Sequence, residues 1–219
     1  YDGTGSGATV GHGLGATPKI ILWKRLDNNN GTTDWLVQSP IWTNRNKLIL
    51  NTNEALAYSS TYANVDNWSN SVFTLGTHAG QNASNGTYIA YCFAEKTGYS
   101  KFGSYTGNGN ADGSFVYTGF KPSFLMVKRT DSTSDWLICD NKRNNYSLAY
   151  TQNNFNVVNG KIFANLSQAE EFYNSYDFVS NGFKIRSSGT GHNASGANMI
   201  YMAFGQSLVG SNNVPCTAR

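Results

Sequence analysis

The sequence predicts an all-β chain: two homologous antiparallel β-sandwich halves, jelly-roll-like and packed together. Three observations lead there. Good helix formers are scarce, with Glu confined to Glu54, Glu95, Glu170 and Glu171, while Gly, Asn, Ser, Thr and aromatic residues are abundant. Short apolar runs alternate with polar turn signals such as Asn28–Gly31, Asn85-Gly86, Gly107–Asn110, Ser132–Ser134 and Asn181-Gly182. The third observation is an internal repeat. Thr17–Leu36 and Lys121–Leu137 share Pro, an apolar run, Lys-Arg, Asp, a polar loop and Asp-Trp-Leu; further on, Asn82–Glu95 aligns without a gap on Asn193–Gln206. A period of roughly a hundred residues is domain-sized, too long for a solenoid repeat.

The elements follow in order. Ile20–Trp23 and Phe124–Val127 are continuous apolar runs, as expected of strands buried on both faces. Trp35–Val37 and Trp136–Ile138 form a second pair of strands, Val72–Leu75 and Phe183–Ile185 a third, and Tyr88–Phe93 and Met199–Phe204 close each copy. Leu166–Tyr173 is the one stretch that reads as helix. These give repeat one over residues 1–98, repeat two over 99–206 and a polar tail over 207–219. The join Thr97–Gly103 is short and contains aromatics, so the halves are expected to pack together rather than hang on a linker.

Composition excludes several functions. Charged residues make up 13% and the formal charge is +3, with no basic run, which argues against a nucleic-acid partner. No apolar run is long enough to cross a bilayer, and no signal peptide stands at the start. The chain opens on Tyr1 and is expected to be a processed product or part of a longer polypeptide. Three cysteines (Cys92, Cys139, Cys216) are an odd number, read as reduced structural thiols, and no Cys/His spacing suggests zinc. No cofactor is expected.

Residues shared by both copies read as scaffold. In Asp34-Trp35 and Asp135-Trp136 the carboxylate closes a turn and the indole anchors a core. Lys24-Arg25 and Lys128-Arg129 are strand-end charges. Trp23 and Trp68, matched by Val127 and Phe178, are core. Residues of one copy are freer to bind. Trp42 has no aromatic counterpart and sits with Arg45 among polar residues, followed by Tyr58 and Tyr62. Aromatic faces stack on sugar C–H groups while guanidinium and amides bond hydroxyls, so these four are the candidate glycan contacts. Asn108, Asn110 and Asp112 have the alternate-oxygen spacing of a calcium loop, but Gly119 stands where the closing acid belongs, so a turn is the preferred reading and no metal is expected. No pair of carboxylates suits glycoside hydrolysis, and His12, His78 and His192 sit in small-residue turns without a nucleophile motif. The chain reads as non-enzymatic.

Three stretches, Tyr99–Pro122, Met126–Asp131 and Met199–Phe204, together with the tail Leu208–Pro215, resemble a family of virion proteins from marine tailed phages, including those of cyanobacteria. The resemblance spans nearly the whole chain. It departs at Gly205-Gln206, where the family runs Ala-Glu, so no role is carried to that position. It implies a virion-surface location in a fibre or tail assembly, other virion proteins as partners, a homo-oligomer with a trimer favoured, and host attachment through a cell-surface glycan, without nucleic acid or membrane insertion. The alternative is a structural capsid decoration or head-fibre role. A polysaccharide depolymerase ranks below both.

Overall fold

The computed structural model describes residues 1–27, 34–143 and 157–206. The expected turn at Asn28–Gly31, the tail 207–219 and Cys216 lie outside the described residues. The first part of the chain forms β1 (Ala8–Gly11), β2 (Ile20–Arg25), β3 (Trp35–Gln38), β4 (Asn46–Ile49), β5 (Ala57–Tyr58), β6 (Val72–Leu75), a one-turn helix α1 (Ala79–Asn82) and β7 (Tyr88–Phe93). The second forms β8 (Ser100–Thr106), β9 (Phe115–Tyr117), β10 (Pro122–Arg129), β11 (Leu137–Asp140), β12 (Val157–Phe163), β13 (Glu171–Val179), β14 (Gly182–Ile185), the one-turn helix α2 (Thr190–Asn193) and β15 (Asn198–Gly205). Every strand pairing is antiparallel.

Three sheets result: a two-stranded β1-β6, a five-stranded β5-β4-β3-β2-β7, and an eight-stranded β8-β15-β10-β11-β12-β13-β14-β9. The large sheet curls on itself, because Phe183 of β14 meets Tyr105 of β8 at 6.0 Å and Tyr201 of β15 at 5.3 Å, all edge to face. From β10 to β14 its neighbours follow chain order, a meander rather than the interleaved order of a jelly roll. Sequence pattern does not separate the two, since each strand shows the same alternation in either topology.

Alternation explains why β2 and β10 are apolar throughout. Ile21 and Trp23 point into a core with Phe73, Leu75 and Trp68, while Ile20 and Leu22 point the other way. Likewise Leu125 and Val127 face the interior of the large sheet, and Met126 faces out. The outward faces of the two sheets meet in a third core that joins Ile20, Val37, Leu48 and Trp42 to Phe102, Trp136, Ile200 and Met202. Each such side chain, fully buried, contributes ~1.5–3 kcal/mol. Phe204 ties the seam, contacting Phe93 at 5.9 Å and Phe102 at 5.6 Å.

The helix expected over Leu166–Tyr173 is absent. Residues 164–170 are irregular, and Glu171–Tyr173 begin β13, paired to β12 through Lys161↔Glu171 and Gly160↔Phe172. Cross-strand pairing and aromatic content outweigh the local helix preference of Gln168–Glu171.

The same contacts recur in the two parts of the chain. Asn51 accepts from the Trp35 amide at 2.8 Å and donates to Asp34 at 2.8 Å; Asn165 does the same to Trp136 at 2.9 Å and Asp135 at 2.7 Å. Asn82 accepts from the Thr4 amide at 2.7 Å, and Asn193 from the Asn108 amide at 3.0 Å. Gly3 and Gly107 lie so close to the carbonyls of Ala83 and Ala194 that an added Cβ would sit 2.1 and 2.2 Å from them.

Candidate functional site

A concavity lies in the second part of the chain, where the start of β11, the end of β12 and helix α2 converge. Hairpin pairing sets Phe163 opposite Leu137 as an apolar floor and leaves Lys161 at the rim. Asn165 fixes Asp135 through its amide. Ser134 donates its hydroxyl to the Gly191 carbonyl at 3.2 Å, which seats α2 against the loop before β11. Together with Gly189 and His192 these residues bound a cavity of about 210 Å³. Lys161 extends the site outward: its Nζ lies 4.7 Å from the ring centroid of Tyr173, which is 65% exposed, and 3.0 Å from Glu171.

Burial, helped by the nearby Lys161 charge, pushes the His192 imidazole down to about 4, so it is neutral at pH 7. Its Nε2 is buried without a hydrogen-bond partner. Lys128, buried, is pushed down to about 8 by burial, a shift that Asp135 opposes, and donates to the Arg129 carbonyl at 2.8 Å. Three carboxyls elsewhere are held below their usual range. Asp112 and Asp131 are lowered first by hydrogen bonds from Lys184 and Arg129. At Asp140 burial raises the value, but Arg143 and local amides outweigh it. These three favour the ionised form, the opposite of a general acid. Ser134 gives its proton to a carbonyl rather than to His192, so no nucleophile–base pair forms there. No group of three or more His, Cys, Asp or Glu residues placed to hold a metal occurs among the described residues.

The four sequence-predicted contacts do not share one open surface. Trp42 is 9% exposed, packs in the seam between sheets and donates to the Asn46 carbonyl at 3.2 Å. Tyr62 is 6% exposed, with its ring 4.2 Å from that of His78. Arg45 donates to the Tyr62 carbonyl. Tyr58 alone is open, at 60%. A hydrophobic residue among polar neighbours reads as exposed, yet Trp42 ends a short 3-10 turn, Pro40–Trp42, capped by Ser39, and its indole is buried. In the proposed calcium loop, the Asn108 and Asn110 oxygens accept from the amides of Asn110 and Asp112, and Asp112 pairs with Lys184 at 2.8 Å. Those oxygens close an Asx turn.

Sequence reasoning weighed Asp135 only as scaffold and passed over Lys161, Phe163 and Tyr173. Their signal was weak: Glu171 and Tyr173 alternate on one strand, but only the register with β12 brings them to Lys161. Cys92 and Cys139 are free thiols, pushed up by burial to about 11 and about 12, and so inert at neutral pH.

Fold and site together define an all-β sandwich protein with a polar cleft over an apolar floor. Residues 1–207 match the family described as a domain of unknown function, DUF7483, and the chain belongs to that family. Neither the curated proteins nor the solved structures contain a match. Among the described residues no helix is long and apolar enough to cross a membrane.

Proposed function

We propose that this chain is a non-enzymatic virion surface protein of a tailed phage, a fibre or tail module that attaches to a host-surface glycan. In this reading two homologous β halves, related by duplication, form the scaffold; the recurring Asp-Asn-Trp and Gly-carbonyl contacts support that descent. The observation that carries attachment is the cleft of Asp135, Lys161, Ser134 and Phe163. It offers fixed donors and acceptors above an apolar floor, and it lacks a nucleophile–base pair. Other virion proteins and further copies of the chain are its partners, and a homo-oligomer, with a trimer favoured, multiplies weak sugar contacts into firm attachment.

A second reading, capsid decoration or head-fibre structure, is favoured by one surface feature. Trp35 and Tyr91 stack at 6.0 Å on the Leu22 face of the five-stranded sheet, outside the seam cluster, with Tyr91 44% exposed, an aromatic pair suited to a neighbouring subunit. The experiment is whole-cell binding by the purified protein, with and without competing host polysaccharide, together with mapping of the chain on the intact particle. Saturable binding that polysaccharide competes supports attachment. Absence of cell binding with a capsid-lattice position overturns it.

A further inference from the structure

The chemistry of the cleft narrows what it can hold. Resting on the attachment reading above, we propose that the cavity between β11, β12 and α2 is a subsite for one neutral pyranose ring. Asp135 supplies an acceptor for hydroxyls, and Asn165, donating to one of its oxygens at 2.7 Å, positions the carboxylate. Lys161 supplies a donor at the rim, and Leu137 and Phe163 supply a floor for sugar C–H groups. Tyr173 stands outside the rim, its ring capped by Lys161, where the next residue of a chain would stack.

Three other ligand classes fit worse. A phosphate or sugar acid would face the Asp135 carboxylate, while the Lys161 charge is already matched by Glu171 at 3.0 Å and His192 is neutral. A cation would face Lys161. A drug-sized apolar ligand needs a pocket of ~300–1,000 Å³, more than the 210 Å³ available here. A small ring rich in hydroxyls, with no net charge, uses every group present: carboxylate, ammonium, the Ser134 oxygen and the apolar floor.

The first part of the chain provides an internal control. Corresponding contacts place Asp34 with Asp135, Lys47 with Lys161, and His78 with Gly189: the Asn82 amide donates to the His78 carbonyl at 2.9 Å as the Asn193 amide donates to that of Gly189 at 2.8 Å. Around Lys47 the ring of His78 packs against that of Tyr62, whereas Gly189 has no side chain to place there. Asp34→Asn and Asp135→Asn therefore perturb the same Asn-Trp turn, but only the second changes the cavity.

The test is ligand-observed NMR of the purified protein against glucose, galactose, mannose, glucuronate and inorganic phosphate. The expected result is binding of at least one neutral hexose, weakened tenfold or more by Asp135→Asn and by Gly191→Leu, which directs a side chain toward the Ser134 hydroxyl, and unchanged by Asp34→Asn. Thermal melting of each variant confirms that it is folded, and Tyr173→Ala, on the exposed rim, gives a readout free of core damage. Absence of hexose binding, a preference for glucuronate or phosphate, or equal binding by wild type and Asp135→Asn overturns the subsite. Cell attachment that persists in Asp135→Asn while hexose binding is absent sinks the subsite and leaves attachment standing. Hexose binding without any cell attachment sinks attachment instead.

Discussion

The Asp-Trp pair occurs twice in the sequence, yet its two tryptophans should differ sharply in what they contribute. Trp136 is 1% exposed, lies in the seam between the sheets and donates its indole N–H to the Ile49 carbonyl at 2.8 Å. Truncation to Ala removes a buried indole, worth about 3–5 kcal/mol in cores. It also strips a donor from a buried carbonyl, adding about 0.5–1.5 kcal/mol. Partial collapse of the seam offsets some of this, so the expected cost is ~4–5 kcal/mol. Trp35 is half-buried. Its losses are a stacked contact with Tyr91 at 6.0 Å, about 0.5–1.5 kcal/mol, and the Lys24 ammonium 5.6 Å from its centroid, about 0.5–1 kcal/mol. The expected cost is ~1–2 kcal/mol. The assay is urea unfolding followed by far-UV circular dichroism, since the mutations alter the fluorescence signal itself. A gap of at least ~2 kcal/mol, about 30-fold in the unfolding constant, is expected. Equal costs, or a larger cost at Trp35, would refute the claim that Trp136, and not Trp35, anchors the seam between the sheets.

Three further outcomes follow from the same geometry. His192 is pushed down to about 4 from an unfolded value near 6.5, so its contribution is fully present above pH 6.5 and is lost as pH falls toward 4, by ~3 kcal/mol; melting curves at pH 7 and pH 4.5 should show the loss, and His192→Gln should flatten it. Arg25, whose side chain is 3% exposed, pairs with Asp27 at 2.7 Å, whereas the matching pair Arg129–Asp131 is more open; Asp27→Ala should cost about 3 kcal/mol and Asp131→Ala under about 1 kcal/mol by urea unfolding. Gly107→Ala would force a Cβ against the Ala194 carbonyl and should cost about 1–3 kcal/mol, measured the same way, while Gly13→Ala, with nothing within 4 Å, loses only the ease of its positive φ.

The strands were legible because their pattern is local. Val72–Leu75 and Tyr88–Phe93 match the expected runs residue for residue, and the unbroken apolar runs in β2 and β10 signalled burial on both faces. Their sheet order was not legible, since a meander and a jelly roll need the same alternation. Trp42 was misplaced because a lone aromatic among polar residues carries no directional information; the 3-10 turn that it ends depends on Ser39 and Pro40 acting together. The cleft was invisible for a different reason. Its residues come from positions 134–137, 161–163 and 189–192, and only strand register and the docking of α2 bring them together.

The two parts of the chain differ chemically beside that cleft. At the end of α1, Gln81 donates to Gln38 at 2.6 Å and accepts from the Ala63 amide at 2.9 Å, a buried amide with both functions satisfied. The matching positions in the second half are His192 and Cys139, and a thiol held up near 12 is a poor substitute for an amide oxygen. The buried Nε2 of His192 is left without a hydrogen-bond partner, its ring 5.6 Å from that of Tyr176. Each such group costs about 1–3 kcal/mol. At this buried position the second part of the chain keeps a less satisfied arrangement than the first, beside its open cavity. Installing the pair found in the first part, with His192→Gln and Cys139→Gln together, should therefore raise the melting temperature, at the expense of whatever the cleft binds.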